Sequence, residues 1–290
     1  MKWPGDPVAA ATGPAWIAPL AVSYLGFQLI HFAVERARGN IAPDARSSTF
    51  WSYALFFPTL PAGPIKRYEN FRAQAESAAP FDTDLFTKGV FRVAVGFAKK
   101  SVLAYPAYVW LDGWQGATES AVAAWLGVYC YFAYIYLDFS AYSDIAIGAA
   151  AMMGLRVEEN FRWPIFASNP SEFWKRWHMT MTGFLRDYVF IPLGGSREGA
   201  LQTAVNTIIT MTLIGLWHGI AWNFLAWGLY HAALLLGYRV WRNILPTHRL
   251  GRPGRALGVL ATFHLVGAGW ILFDNPFRDA LPLLRALAPF

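Results

Sequence analysis

Apolar runs, broken at irregular intervals by proline, charge or clustered polar residues, set the outline of this chain. Residues 15–34 form an apolar run of about the length that one membrane span requires, roughly 20 residues. It holds His31 and stops at Glu35-Arg36-Ala37-Arg38-Gly39, a basic edge that suggests a cytoplasmic end. Residues 48–65 are apolar too, but Pro58, Pro61 and Pro64 interrupt them. Proline lacks an N–H and disrupts the preceding helical turn. Free backbone groups at membrane depth are tolerated only inside protein or beside a wet cavity. A buried broken helix or a re-entrant loop is therefore expected there. Residues 67–100 mix Phe86, Val90, Val93 and Phe97 with Lys88, Arg92, Lys99 and Lys100. This pattern predicts an interfacial helix with its cations towards lipid headgroups.

From 101 to 155 there is no Lys or Arg. Residues 121–137 predict a span rich in Tyr and Trp, followed by Asp138-Phe139-Ser140-Ala141-Tyr142-Ser143-Asp144 and a second apolar run. Carboxylates between such runs face a cavity or a partner; a short polar loop between spans is the plainer alternative. Asp138 and Tyr142 would share a helix face. Residues 201–217 and 220–238 again lack Lys and Arg and are bounded by Arg197 and Arg239. They predict a helical hairpin with Trp217-His218-Gly219 near its turn. A basic loop at 242–255, a span at 257–273 carrying His264, and an ending at 279–290 too short to cross complete the chain. The fold class expected is all-α: a polytopic helical membrane bundle with broken or re-entrant helices, forming one membrane domain over residues 1–290.

Composition agrees with the pattern. Of 290 residues, 56% are hydrophobic and 14% charged, against about 25% charged in soluble domains. Aromatics make up 17%, with 14 Trp, and Trp and Tyr favour the membrane–water boundary. The net charge of +6 falls between apolar runs, where cytoplasmic loops enriched in Lys and Arg account for it without nucleic acid. A single cysteine, Cys130, excludes an internal disulfide framework and a multi-cysteine metal site; in its apolar run it is expected to be buried and inert. Residues 1–13 contain Pro4, Asp6 and Pro7 and no apolar core of a cleavable signal. The first apolar run can serve as an uncleaved anchor.

Chemistry concentrates between Asn160 and Gly219. Asn169-Pro170-Ser171-Glu172 is a helix start, with Asn169 as cap, Pro170 in the first position and Glu172 placed as a capping-box acid. The helix predicted after it sets Trp174 and His178 on one face, Phe173 and Trp177 on the next, and pairs Glu172 with Arg176. Arg186-Asp187 follows, and Gly194-Gly195 after Pro192 makes a sharp exit. His218 ends an uncharged apolar stretch. In such surroundings the neutral imidazole is the form to expect, able to accept a proton from a hydroxyl. From the residues alone, a core histidine and a catalytic base both stay open. Gly219 leaves room for a substrate or another helix. His31, His231 and His264 are expected to be interhelical hydrogen-bonders, and His248 a solvated loop residue. No metal site is expected, since no two histidines stand at ligand spacing and no His-Glu-x-x-His occurs. Serine-hydrolase elbows, phosphate loops and dinucleotide fingerprints are likewise missing.

The ordered motifs nevertheless resemble those of a known family. Phe57-Pro58-x-x-x-Ala62-Gly63-Pro64-Ile65, Asp138-Phe139-Ser140-x-Tyr142-Ser143-Asp144 and Asn160-Phe161-x-x-Pro164 are the first three. Glu172-Phe173-Trp174-x-Arg176-Trp177-His178, Leu185-Arg186-Asp187-Tyr188, Ile191-Pro192-Leu193-Gly194-Gly195 and Gly215-Leu216-Trp217-His218-Gly219 follow. Over residues 20–273 the chain is similar to the membrane-bound O-acyltransferases, in particular the alginate O-acetylase branch. The resemblance implies an all-helical membrane enzyme that moves an acyl group onto a hydroxyl. It places His218 at the family's catalytic histidine and His178 at a second motif histidine in a supporting role. Asp138, Tyr142, Asp144, Trp174, Arg186 and Trp217 become candidate substrate-binding residues. The implied donor is a cytoplasmic thioester, acetyl-CoA or an acyl carrier protein, with no tightly bound cofactor. The implied acceptor is an exported polysaccharide or another cell-envelope polymer, as in D-alanyl transfer, and a periplasmic or secreted acyltransferase is the expected partner. A multi-pass protein of the inner membrane bilayer follows. A transport or scaffold subunit that keeps the fold without the chemistry is the rival expectation. Family members usually carry further spans on both sides of this core, so a compact variant, a fragment or a chain completed by a partner is expected.

Overall fold

The computed structural model describes residues 22–77, 80–113, 120–244 and 251–287. Residues 1–13, where no signal core is expected, residues 15–21 of the first apolar run and His248 lie outside the described residues. Helices account for the regular structure: α1 (Val22–Ala37), α2 (Ser47–Ala54), α3 (Tyr68–Ala75), α4 (Thr83–Ala98), α5 (Tyr105–Gly113), α6 (Ala121–Met152), α7 (Pro170–Trp174), α8 (Met179–Leu185), α9 (Gly199–His218), α10 (Trp222–Ile244), α11 (Gly251–Asp274) and α12 (Phe277–Ala286). Looser π-helical turns, Lys99–Ala104 and Arg186–Phe190, extend α4 and α8. Among the described residues there is no strand, as the apolar periodicity anticipated. Helices α6, α9 and α11 are long and apolar enough to cross a membrane.

The chain divides into two compact units, residues 1–94 with 143–158, and residues 95–142 with 159–290. In the first unit, the run at 48–65 is broken, as its prolines require. Helix α2 ends at Ala54 and the chain continues through turns to Arg67. Tyr53, Phe56, Tyr68 and Phe71 interlock in edge-to-face contacts and form the unit's core. Lys66 is sealed among them, 1% exposed. Its Nζ donates to Thr59 Oγ1 at 2.8 Å and Gln28 Oε1 at 3.2 Å, over the Tyr53 and Phe56 rings. Burial pulls its ammonium from 10.5 down to about 7, with Glu158 offsetting part of the effect. His31 is an inter-element hydrogen-bonder as expected, accepting from the Tyr68 backbone N–H at 2.8 Å.

Around α6 the loop alternative falls and one sequence expectation, the headgroup-facing cations, changes. The polar stretch from Asp138 to Asp144 is not a loop: α6 runs through it as one 32-residue helix. The carboxylates are neutralised where they stand, so the backbone has no reason to leave its own hydrogen-bond ladder. In the second unit Lys100 pairs with Asp138, and Lys99 Nζ donates to Ser140 Oγ at 3.4 Å. In the first, Arg92 Nε donates to Asp144 Oδ1 at 3.0 Å. The cations of residues 67–100 are thus turned towards α6 rather than collectively towards headgroups. Lys88 alone of the four keeps an exposed partner, Asp84 on its own helix.

In the second unit α9 and α10 form the predicted hairpin, with His218 the last residue of α9. Helix α11 packs on α10. His264 on α11 reaches Tyr129 of α6 through Nε2 at 2.7 Å, the interhelical bond its position suggested. Gly194 and Gly195 take φ of 102° and 61°, the left-handed conformations that make the sharp exit glycine's to occupy. Asn206 then pins this turn onto α9, donating to Leu193 O and Gly195 O at 3.0 Å each.

Candidate active site

The approach to the site begins with the predicted helix start. Asn169 Oδ1 accepts from Glu172 N at 2.8 Å and Pro170 takes the first position. Glu172 Oε2 accepts from Ser168 N at 2.8 Å and Ser168 Oγ at 2.7 Å, and Oε1 accepts from Arg176 at 2.6 Å. Burial pushes the Glu172 carboxyl up, but those bonds outweigh it and hold it below its ordinary range. The helix does not continue as the spacing implied. α7 closes at Trp174, and His178 caps the next helix, α8, with φ 45°. Trp174 and His178 therefore do not share a helix face.

A non-glycine residue in the left-handed region is uncommon and is held there by its surroundings. For His178 the holder is Asn160. Its backbone carbonyl accepts from Met179 N at 2.9 Å. Its side-chain Oδ1 accepts from Thr180 Oγ1 at 2.9 Å and meets His178 Nδ1 at 3.0 Å. An amide oxygen can only accept, so this contact puts the imidazole proton on Nδ1. The ring is 1% exposed, with Phe139 edge-on at 4.8 Å and Trp217 at 6.2 Å.

Trp217 links the two motif histidines, since its ring also lies 4.6 Å from that of His218. Phe273 of α11, at 4.8 Å, Trp227 of α10, at 5.6 Å, and Phe224, at 6.1 Å, complete an aromatic box around His218. Gly219, read as space for a substrate or another helix, is filled by Phe224: a Cβ there would stand 2.5 Å from the Phe224 ring. Among the described residues the His218 ring has no hydrogen-bond partner, although it is only half-buried. A neutral imidazole so placed keeps a lone pair free for an incoming hydroxyl proton.

His231 behaves differently from expectation. It is fully buried, yet neither ring nitrogen has a hydrogen-bond partner among the described residues. Its contacts are rings: Trp227 at 4.7 Å, Trp174 at 5.2 Å and Phe173 at 6.5 Å. The indole N–H groups of Trp174, Trp227 and Trp270 are also buried without partners. Edge-to-face packing offers such N–H groups a π face, a weaker substitute for a carbonyl.

The other candidates fall in three places. Trp217 is in the His218 box. Trp174 and Arg186 line a separate cavity of about 280 Å³ in the second unit. Asp138 carries its Lys100 partner on α6, where Tyr142 lies one turn on, and Asp144 belongs to the first unit, paired with Arg92. Among the described residues no group of three or more His, Cys, Asp or Glu side chains is placed to hold a metal ion. Asn160, Trp227, Phe224 and Phe273 are site residues without a sequence-predicted role. Asn160 stood in a motif without an assigned task. The predicted hairpin already placed Trp227 across the turn from His218, a signal that was available.

Residues 47–266 match the membrane-bound O-acyltransferase family. The chain belongs to that family. As a member with three membrane-length apolar helices among the described residues, it is a membrane protein. It is 35% identical to the probable alginate O-acetylase of Pseudomonas fluorescens, over 89% of this chain and 51% of that protein. To the peptidoglycan O-acetyltransferase of Helicobacter pylori it is 32% identical, over 93% of this chain and 57% of the other. It is 30% identical to the teichoic acid D-alanyltransferase of Bacillus subtilis, over 90% of this chain and 70% of that protein. The chain thus spans about half the length of the alginate O-acetylases it matches.

Proposed function

We propose that this chain carries the catalytic core of a membrane-embedded O-acyltransferase. It moves an acyl group, here acetyl, from a cytoplasmic thioester to a hydroxyl of an exported polysaccharide. The observation that carries this is His218: an imidazole at the end of an apolar helix, boxed by four aromatic rings and without a hydrogen-bond partner among the described residues. His218 takes the acceptor hydroxyl proton as that oxygen bonds to the thioester carbonyl carbon. The carbon–sulfur bond then breaks, and the imidazolium returns the proton to the departing thiolate. His178, with its proton held on Nδ1 by Asn160, supports the site from the far side of Trp217. Donors of the right class are acetyl-CoA or an acyl carrier protein, and a periplasmic or secreted acyltransferase is the partner that would complete delivery. The relatives named as O-acetylating alginate and peptidoglycan support acetyl transfer, and a multi-pass placement in the inner membrane suits an exported acceptor.

D-alanyl transfer is the second reading, favoured by the Bacillus subtilis relative, of which the chain covers 70%. Labelled donors separate the two, since only one label enters the product. The role of His218 is tested with wild type and His218→Ala at matched membrane levels. General-base assistance is worth about 10²–10⁴-fold, and the variant should lose that much acyl transfer. Equal activity would remove His218 from the reaction. No labelled transfer by folded wild type, even with an acyltransferase partner, would favour a transport or scaffold role.

A further inference from the structure

We infer that the cavity beside α9 and α10 is a binding site for an anionic phospholipid, whose phosphate meets Arg239 and Arg242 and one of whose acyl chains enters between the helices. The cavity encloses about 280 Å³, just below the roughly 300–1,000 Å³ of sites that swallow a whole small ligand, and enough for part of one chain. Its α9 wall carries Thr203, Thr207 and Thr210 with Met211 and Ile214. Those hydroxyls are already spent: Thr203 donates to Gly199 O at 2.6 Å, Thr207 to Thr203 O at 2.8 Å and Thr210 to Asn206 O at 2.7 Å. What remains facing the space is largely methyl and hydrocarbon, completed by Leu235 and Leu236 of α10. Along these α9 and α10 walls a sugar would find few free donors, whereas an acyl chain needs none.

The rim is cationic. Arg186 is neutralised locally by Asp187, its Nε donating at 2.8 Å. Arg239 and Arg242 have no carboxylate partner among the described residues, leaving two unbalanced charges at the mouth. The same hairpin presents apolar residues outward: Leu201 is 80% exposed, and Val240, Trp241 and Ile244 are at least half exposed. Tyr238 and Trp241 flank Arg239 and neighbour Arg242 in sequence, a mixture of aromatic and basic residues that favours a membrane–water boundary. An apolar slot opening on the bilayer, with arginines at headgroup level, has the chemistry of a lipid phosphate and its tail. Free phosphate shares only the charged half of that chemistry. The inference does not rest on acyl transfer.

The test uses the full chain in nanodiscs of phosphatidylcholine alone or mixed with phosphatidylglycerol. Retained lipid is counted by native mass spectrometry, and the melting midpoint is read in parallel. Wild type should retain phosphatidylglycerol and melt higher in its presence, while inorganic phosphate gives no protection. Arg239→Gln with Arg242→Gln should retain it roughly 10- to 30-fold less well, from about 1 kcal/mol per basic residue at the membrane surface. Leu235→Trp keeps both arginines, fills the slot and should also lose the lipid; it decides the question if the double variant fails to fold. Arg252→Gln with Arg255→Gln removes equal charge away from the cavity and should retain lipid like wild type. Equal loss in that control, undiminished retention by Leu235→Trp, or protection by inorganic phosphate would each overturn the inference.

Discussion

Gly228→Ala tests how closely α9 and α10 must approach for His218 to keep its place. A Cβ at Gly228 would stand 2.5 Å from the carbonyl oxygen of Met211 and 3.2 Å from Thr212 Cα. Neither neighbour can swing aside, because both are backbone of α9. The contact is reciprocal, since a Cβ at Gly215 would clash with Phe224 O and lie 3.3 Å from Gly228 Cα. Glycines of this kind let membrane helices touch backbone to backbone. Restoring ordinary contact requires the helices to part by roughly 1 Å. Overpacking of that size costs about 1–3 kcal/mol, offset by about 1 kcal/mol of helix propensity gained on replacing glycine. Net destabilisation is therefore small, at most about 2 kcal/mol. Function should suffer more, because His218 ends α9 one turn beyond Gly215 while Trp227 of its box sits on α10. A misplacement of about 1 Å is worth about 10²-fold in rate. The assay pairs a detergent melt with acyl transfer at matched expression. Gly237→Ala is the control on the same helix, with nothing within 4 Å of the added Cβ; it should be neutral to slightly stabilising, with activity unchanged. If Gly228→Ala matches wild type in activity, or Gly237→Ala is as damaging, the close approach does not position the site.

Lys66 makes a pH prediction. Its folded value, about 7, lies below the unfolded 10.5, so between those values the unfolded chain binds more protons and stability must rise with pH. Below about 7 both states are protonated and the burial penalty is constant. Wild type should gain on Lys66→Met from pH 7 to 10, on the order of 4 kcal/mol at most at ~1.4 kcal/mol per unit, seen in melts across that range; parallel pH curves would refute it. Asn160→Ala removes the acceptor shared by His178 and Thr180 and should destabilise by about 2–3 kcal/mol. It should also lower acyl transfer if His178 supports the reaction. Imidazole chemical shifts should show His178 losing its fixed Nδ1–H tautomer, and an unchanged spectrum would show that Asn160 does not set it.

The sequence by itself determined what depends on near neighbours along the chain. Apolar runs marked α6, α9 and α11, the prolines broke the stretch after α2, and the polar residues around Asn169 produced the cap and the Glu172–Arg176 pair. Each is a contact within a few residues, so periodicity and spacing carry it. Tertiary structure alone decided what depends on distant partners. Lys100 and Arg92 come from 38 and 52 residues away to neutralise Asp138 and Asp144, which keeps α6 continuous. Asn160 bends His178 into a left-handed turn and takes it off the helix face shared with Trp174. The walls of His218 arrive from α10 and α11. Pattern could place that histidine at the end of an apolar helix. Only packing could put four rings around it and leave its nitrogens without a partner among the described residues, because no local spacing encodes which helices meet.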